Sequence, residues 1–160
     1  LEPSALLTFR DEAPDLVEDR ASAEAVGRAA VLFEEFMADR ELPPLRPEPV
    51  HYVVHGHCHQ KAIAGMGPLT ALLGRLPGTV AAIPSGCCGM AGSFGYEAEH
   101  YDLSMQIGEL VLFPAVRKAG AASVVVAPGT SCRHQIADGT GRRASHPAEV
   151  IARALLPEAS

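Results

Sequence analysis

Three short apolar runs stand out between residues 50 and 127 of the chain. Each is rich in Val, Ile or Ala and lacks the regular polar alternation of a half-exposed strand. Such runs are typical of strands that are covered on both faces of a parallel sheet. The runs are Val50–Val54, Thr79–Ile83 and Ser123–Ala127. We predict from them three strands of one small, mostly parallel sheet.

Elsewhere along the chain, apolar residues recur at the spacing of a helix face. Helices are predicted at Leu6–Glu12, Ser22–Asp39, Lys61–Leu76, Tyr96–Lys118 and Pro147–Leu156. Gly65, Gly67 and Pro68 are expected to break the start of the third. In the second of these, Ser22 is expected to cap the helix, Val26 to face the core and Glu34 to face solvent. Four prolines between residues 42 and 49 exclude a helix there, so this segment is predicted to be an extended connector.

Strand, helix, strand, helix, strand is the order of right-handed βαβ units, in which helices cover both faces of a parallel sheet. We therefore predict an α/β fold, a Rossmann-like three-layer αβα arrangement. All 160 residues are assigned to a single domain, with a helical segment and connector at residues 1–49 and an α/β core at residues 50–156. Because residue 1 is Leu rather than Met, we expect the chain to be a fragment of a longer protein.

Charge and hydropathy limit the partners that the chain can have. The formal net charge is -6, and basic residues form no cluster larger than pairs such as Arg142 and Arg143, which argues against nucleic-acid binding. No apolar run approaches the roughly 20 residues of a membrane-spanning helix, so no transmembrane segment is predicted. The expected location is the cytoplasm, or the inner face of a membrane as a peripheral protein.

Each predicted strand is followed within a few residues by cysteine. Cys58 follows the first strand, the adjacent Cys87 and Cys88 follow the second, and Cys132 follows the third. The loops at the carboxyl ends of parallel strands lie along one edge of the sheet, where binding sites form. We therefore expect the four cysteines to meet at one metal centre.

Four thiolates suit several metals, and the residues alone leave alternatives open. Iron–sulfur clusters are usually held by four cysteines, and the glycine-rich loops here can aim backbone N–H groups at cluster sulfurs. Zinc is the second alternative, in a structural or docking module with Cys58, Cys132, one of the adjacent pair and a histidine as ligands. A metal-free dithiol switch at Cys87 and Cys88 is the third, disfavoured because a disulfide between neighbours is strained.

Several polar and small residues flank the cysteines. His55, His57 and His59 alternate around Cys58, and in an extended segment they would line one wall of a pocket. We expect these three residues to surround the metal or contact a substrate rather than to bind the metal. The same expectation covers four more residues: Lys61, Gly89, Ser93 and His134.

Three motifs resemble a known family, the cysteine-rich CCG domain. They are His57–Lys61 (HCHQK), Gly86–Glu97 (GCCGMAGSFGYE) and Gly129–Arg133 (GTSCR). That domain occurs in one subunit of heterodisulfide reductase and in the iron–sulfur subunits of glycolate oxidase and anaerobic glycerol-3-phosphate dehydrogenase. The resemblance is closest to the C-terminal iron–sulfur region of FAD-linked 2-hydroxyacid dehydrogenases of the D-lactate or D-2-hydroxyglutarate type. It extends from Glu2 to about Leu156.

The resemblance implies an electron-transfer function. It implies that Cys58, Cys87, Cys88 and Cys132 hold an iron–sulfur cluster, expected to be 4Fe-4S. FAD is expected only upstream, in a flavin domain of the same chain or in a partner subunit, where the hydroxyacid would be oxidised. The chain would then be one part of an oxidoreductase and would have no catalytic activity alone. Family members usually carry two cysteine-rich repeats, and this chain resembles the second.

The chain departs from the family pattern at two positions. Ala5 stands where the family normally has cysteine, and Gln135 stands where the heterodisulfide relatives have the second cysteine of a Cys-x-x-Cys motif. A cluster that needs either of these thiolates is therefore not expected here.

Overall fold

The structure, a computed structural model, describes residues 2–156. The predicted domain limits at residues 1 and 160 lie outside that range. Strands β1 (Val50–Val54), β2 (Gly78–Ala82) and β3 (Val124–Val126) form one sheet in the order β2-β1-β3. Both pairings are parallel, with Tyr52 beside Val80 and Val124. The predicted strands are confirmed, and the sheet is wholly rather than mostly parallel.

Ten α-helices surround this sheet in the described residues. Four precede the sheet: α1 (Pro3–Thr8), α2 (Ala13–Leu16), α3 (Arg20–Ala29) and α4 (Phe33–Phe36). Two join β1 to β2: α5 (Cys58–Ile63) and α6 (Gly67–Leu73). The remaining four are α7 (Tyr101–Leu110), α8 (Leu112–Lys118), α9 (Thr130–Thr140) and α10 (Pro147–Ala154). Among residues 2–156, none of the helices is both long enough and apolar enough to cross a bilayer.

Two separate apolar cores cover the two faces of the sheet. Val53 and Val125 pack on one face, against side chains of α8 and α9 that include Phe113 and Ile136. The alternate strand residues pack on the other face with α6 and α10: Tyr52, Val54, Val126, Leu69, Leu72, Leu73, Val150 and Ile151. Burial on both faces explains why β1 and β3 show no polar alternation towards their carboxyl ends, whereas β2 is mostly exposed, contrary to the prediction that it is covered on both faces. The predicted Rossmann-like α/β layering is confirmed.

The predicted helices are broken more often than their patterns indicate. The expected helix from Ser22 to Asp39 is divided between α3 and α4, and its cap is Asp19, whose carboxylate accepts a hydrogen bond from the Ser22 N–H at 3.1 Å. The helix predicted from Lys61 breaks near Gly65, as expected from its sequence, and the φ of 73° at Gly65 favours the end of a helix. The helix predicted from Tyr96 is interrupted at Val111.

The predicted orientation of the helix expected at Ser22–Asp39 is also wrong. Val26 is half-exposed, whereas Glu34, expected to face solvent, is 2% exposed. The Gln60 side-chain amide donates a hydrogen bond to the Glu34 carboxylate and so links α4 to α5. The residues between α3 and α4 turn the chain, and that turn brings Glu34 to the interior face. Burial disfavours the charged carboxylate and raises the pKa of Glu34.

The buried carboxyl predicts an unusual pH dependence of stability. Because the folded pKa of Glu34 lies above its ordinary value of 4.5, the native state holds the proton more tightly, and stability is lost as pH rises through that interval. The substitution Glu34→Gln removes the ionisation and keeps the shape. We expect its melting temperature to exceed that of the parent at pH 8 by about 2–4 °C, the shift that about 1 kcal/mol produces in a chain of this size.

Thermal unfolding at pH 8 and at pH 4 measures this effect. The advantage of the Glu34→Gln variant should shrink at pH 4, where the parent carboxyl is also neutral. The exposed Glu48 offers a matched control, because Glu48→Gln makes the same charge change at the surface. Lower stability of Glu34→Gln at both pH values would contradict the prediction.

Candidate metal centre

The candidate site lies where the strand order reverses. β1 occupies the centre of the sheet, and the chain continues first to β2 on one side and later to β3 on the other. The loops that leave β1 and β3 therefore separate at the carboxyl edge, where open α/β sheets bind ligands. All three cysteine-bearing segments follow the carboxyl ends of these strands.

The structure brings the four cysteines into one row of contacts. Cys58 is the first residue of α5, Cys87 and Cys88 lie in the loop after β2, and Cys132 lies in the first turn of α9. Cys87 interacts with both Cys58 and Cys88, and Cys88 also interacts with Cys132. All four thiols are free, Cys58 is exposed, and Cys88 and Cys132 are buried. Cysteines from three separate segments of the chain thus share one location.

The four thiols shift one another's pKa values because they lie side by side. The neighbouring Cys58 lowers the pKa of Cys87, and the neighbouring Cys88 lowers the pKa of Cys132. The same neighbours, together with burial, raise the pKa of Cys58 and Cys88. A metal that binds these cysteines would displace their protons, because the thiolate is the form that binds a metal.

His55 adds a nitrogen donor to this group of sulfurs. It is fully buried, and its Nδ1 lies 2.7 Å from the hydroxyl oxygen of Ser85. Its Nε2 is a buried atom with no hydrogen-bond partner in the described part of the chain. A ring nitrogen of His55 and the sulfurs of Cys88 and Cys132 all lie within 4.8 Å of one another. A buried nitrogen without a partner, close to two sulfurs, fits a site that holds a metal.

His57 and Glu2 contact each other beside the sulfurs. His57 Nε2 lies 3.0 Å from Glu2 Oε1, while Glu2 Oε2 accepts hydrogen bonds from the N–H groups of Thr130 at 2.7 Å and Ser131 at 3.3 Å. Burial opposes the charge on Glu2, but His57 and these N–H groups lower its pKa to about 2. Glu2 thereby joins the start of α9, which carries Cys132, to the start of α5.

Lys61 and Gly89 hold the loop that carries the adjacent cysteines. The Lys61 ammonium donates to the carbonyl oxygens of Ser85 and Gly86, the latter at 2.6 Å. Gly89 has a φ of 102°, and its N–H donates to the Cys87 sulfur at 3.3 Å. A side chain at Gly89 would meet the carbonyl oxygen of Ser104 at 2.1 Å, so the loop passes too close to α7 for any other residue.

Three of the residues expected around the metal have side-chain partners other than the cysteines. The extended segment ends at His57, so the alternation does not reach His59, whose Nε2 instead lies 3.9 Å from Asp11 Oδ2. Ser93 is exposed in a surface turn, and its hydroxyl donates to Glu97 at 3.4 Å. His134 is exposed, and its Nδ1 lies 2.6 Å from the hydroxyl of Tyr96.

Two residues near the site gave no signal in the sequence analysis. Glu2 and Ser85 contact the two buried histidines. No local pattern could have found them, because Glu2 is 128 residues from Thr130 and Ser85 is 30 residues from His55.

The two positions that depart from the family pattern have different surroundings. Gln135 is buried, and its amide donates to the hydroxyl of Ser104 at 2.9 Å. The residue at the Cys-x-x-Cys position therefore has a structural role, which joins α9 to α7. Ala5 is exposed on α1 and lines a surface depression with Glu2 and Phe9.

The chain resembles segments of longer dehydrogenases. It is 31% identical over 157 residues to a subunit of the anaerobic glycerol-3-phosphate dehydrogenase of Escherichia coli (strain K12), covering 95% of this chain and 39% of the relative. It is 30% identical over 162 residues to D-2-hydroxyglutarate dehydrogenase of the same strain, covering 94% of this chain and 15% of the relative. The enzyme of that name from Pseudomonas putida is 32% identical over 124 residues, covering 76% of this chain and 12% of the relative.

The chain therefore spans about two-fifths of the first of these relatives and less than one-sixth of the other two. No protein-family model matches it, and no solved structure matches it significantly. The homologues are dehydrogenases or their subunits. Together with these homologues, the buried group of His55, Cys88 and Cys132 indicates a site for a metal cofactor.

Proposed function

We propose that this chain is the iron–sulfur, electron-transfer domain of a flavin-dependent 2-hydroxyacid oxidoreductase. The observation that carries the proposal is the row of four cysteine sulfurs at the carboxyl edge of the sheet. Four thiolates are the usual ligand set of an iron–sulfur cluster. Similarity along nearly the whole chain to segments of dehydrogenases supports the same class of function.

Cys58, Cys87, Cys88 and Cys132 would hold the cluster, expected to be 4Fe-4S. A bound cluster supplies a one-electron carrier at this edge of the sheet. The residues around it have distinct tasks that the contacts support. The Gly89 N–H donates to a ligand sulfur, Lys61 fixes the loop backbone, and the contact between Glu2 and His57 holds the starts of α9 and α5 together.

The remaining parts of the proposed oxidoreductase lie outside this chain. A flavin domain, upstream in the same polypeptide or in a partner subunit, would oxidise the hydroxyacid and pass electrons to this domain. The greater length of each matched relative supports that arrangement. The domain itself would be a CCG-type carrier without catalytic activity of its own, located in the cytoplasm or against the inner face of a membrane.

Metal analysis tests the proposal directly. After anaerobic reconstitution with iron and sulfide, we expect about four irons and about four sulfides per chain, with broad visible absorbance that bleaches on reduction. The parent protein treated with zinc in place of iron serves as the comparison. Stoichiometric zinc together with iron below about one equivalent per chain would contradict the proposal.

A zinc-stabilised structural or docking module is the second candidate function, and the compact group of His55, Cys88 and Cys132 favours it. Tetrahedral zinc with bonds of roughly 2.3 Å to sulfur places two sulfur ligands about 3.8 Å apart. The donor atoms of these three residues all lie within 4.8 Å of one another, and nitrogen with sulfur is a common zinc ligand set. If zinc stabilises the fold, a chelator should unfold the zinc-loaded protein, and an unchanged far-UV circular dichroism spectrum after chelation would exclude this alternative.

A further inference from the structure

A cavity of about 520 Å³ opens at the outer edge of β3, between α9 and α10. Its volume falls within the range of small-molecule sites, which is about 300–1,000 Å³. The floor is the edge strand, through Val124 and Val125, and the walls come from α9, α10 and the segment that joins them. The cavity lies outside the row of cysteines, and the function proposed above does not use it.

Three arginines from three different segments line this cavity. Arg133 comes from α9, Arg143 from the segment between the helices, and Arg153 from α10. Guanidinium groups present a fork of donors that matches carboxylate and phosphate oxygens. Convergence of three such groups on one concave surface is notable in a chain whose formal net charge is -6.

The charges of these arginines are not balanced by ion pairs within residues 2–156. Arg133 donates to the carbonyl oxygens of Ala127 and Pro128, at 3.0 and 2.7 Å, and Arg153 donates to the Ser145 hydroxyl at 3.0 Å. These partners are neutral, and they hold the two guanidinium groups in place without cancelling their charge. By contrast, Arg10, Arg20 and Arg117 each pair with a carboxylate.

Two other titratable groups line the cavity, and neither reverses its net positive charge. The Glu149 carboxylate already accepts a hydrogen bond at 2.8 Å from the His146 N–H at the start of α10. His134 stands at the end nearest the cysteine-bearing loop, where it contacts Tyr96. Three cations and one carboxylate give the cavity a net positive charge. That charge can compensate an anion for the hydrating water that it loses on entering the cavity.

We propose that this cavity binds a small dianionic oxyanion, either a dicarboxylate or a phosphate compound. The proposal rests on the arginine-lined cavity alone and does not depend on which metal the cysteines hold. Arg133 follows Cys132 directly and bonds the backbone of the loop before it. An anion bound there would therefore lie next to the segment that carries one of the proposed metal ligands.

Isothermal titration calorimetry at low ionic strength tests the proposal with three probes: inorganic phosphate, glutarate and acetate. We expect at least one of the dianions to bind one site per chain with a dissociation constant near or below roughly 1 mM. The anion that binds identifies the chemistry as phosphate or dicarboxylate. Acetate should bind at least about tenfold more weakly, because a single carboxylate engages fewer guanidinium groups. Equal affinity for acetate would overturn the proposal.

Arg143→Gln is the informative variant, because Arg143 has no ion pair in the described chain whose loss could disturb the fold. We expect the dianion to bind about tenfold more weakly to it, the loss of one charge-assisted hydrogen bond. Arg28→Gln removes the same charge from an exposed position on α3 and should change affinity by less than about twofold. Equal weakening by both variants, or no binding of either dianion to the parent, would overturn the proposal.

Discussion

Replacing Cys58 with serine is expected to abolish reconstitution of an iron–sulfur cluster, whereas replacing His55 with glutamine is expected to leave at least about half of the bound iron. Cys58 supplies one of the four thiolates, and a serine hydroxyl is a poor ligand for iron in place of a thiolate. His55 lies beside the sulfurs but is not needed to complete a set of four thiolates. Iron and sulfide content per chain, with the visible spectrum, measures both variants.

Zinc bound by the compact group of His55, Cys88 and Cys132, rather than by a ligand set that includes Cys58, predicts the opposite order for the same two variants. His55 belongs to the compact donor group with Cys88 and Cys132, and Cys58 does not. Loss of His55 should then weaken zinc binding by at least about 100-fold, and loss of Cys58 should weaken it less. Ser131→Ala is the control, because it alters a neighbour of Cys132 on α9 and leaves the backbone N–H that contacts Glu2. Retention of the full cluster by Cys58→Ser would reject the ligand set proposed for iron.

Replacing Gly89 with alanine is expected to destabilise the protein by more than about 3 kcal/mol, through the cost of a positive φ and through overpacking. The added Cβ would lie 2.1 Å from the Ser104 carbonyl oxygen, which is helix backbone and cannot move aside like a flexible side chain. The Gly89 carbonyl also accepts a hydrogen bond at 2.9 Å from the Ser104 hydroxyl, so displacement of the loop breaks that contact too. Urea unfolding followed by circular dichroism measures the free energy of unfolding.

Two glycines of the same loop separate the causes of that loss. Gly92 also has a positive φ, 67°, but a Cβ there meets no atom within 4 Å, so Gly92→Ala should cost only about 1–2 kcal/mol. A Cβ at Gly86 likewise meets nothing within 4 Å, and Gly86→Ala should be nearly neutral. If Gly89→Ala proved no more destabilising than Gly92→Ala, the close approach to α7 would not be the cause.

Sequence patterns located the strands well and the helix ends poorly. The three apolar runs match β1, β2 and β3 to within one or two residues. In β1 and β3 the unbroken apolar pattern reflects burial on both faces, whereas β2 has an apolar run although it is mostly exposed. The long helices predicted at residues 22–39 and 96–118 each break in two, and only the break in 61–76 was predicted. The apolar spacing of the first two continues across each break, whereas packing against the sheet decides where the chain must turn.

The contacts around the site were harder to predict from the sequence than the helix ends. The sequence predicted that cysteines follow the strand ends, at Cys58, Cys87, Cys88 and Cys132. Their role as metal ligands stays a prediction. The burial of Glu34 could not be read, because its helical spacing placed it outside. The same holds for His59, since the helix that begins at Cys58 ends the alternation on which the expectation of one histidine wall depended.

The order of short buried strands and helices was sufficient by itself to determine the parallel α/β layering and the edge of the sheet at which the cysteines lie. Connectivity alone imposes this result, because parallel strands that alternate with helices present all their carboxyl ends on one side. Only the tertiary structure decided that Glu2 reaches Thr130, that His55 lies beside two sulfurs, and that three arginines surround one cavity. Those contacts join segments far apart in the chain, and no local pattern of residues encodes the distance between them.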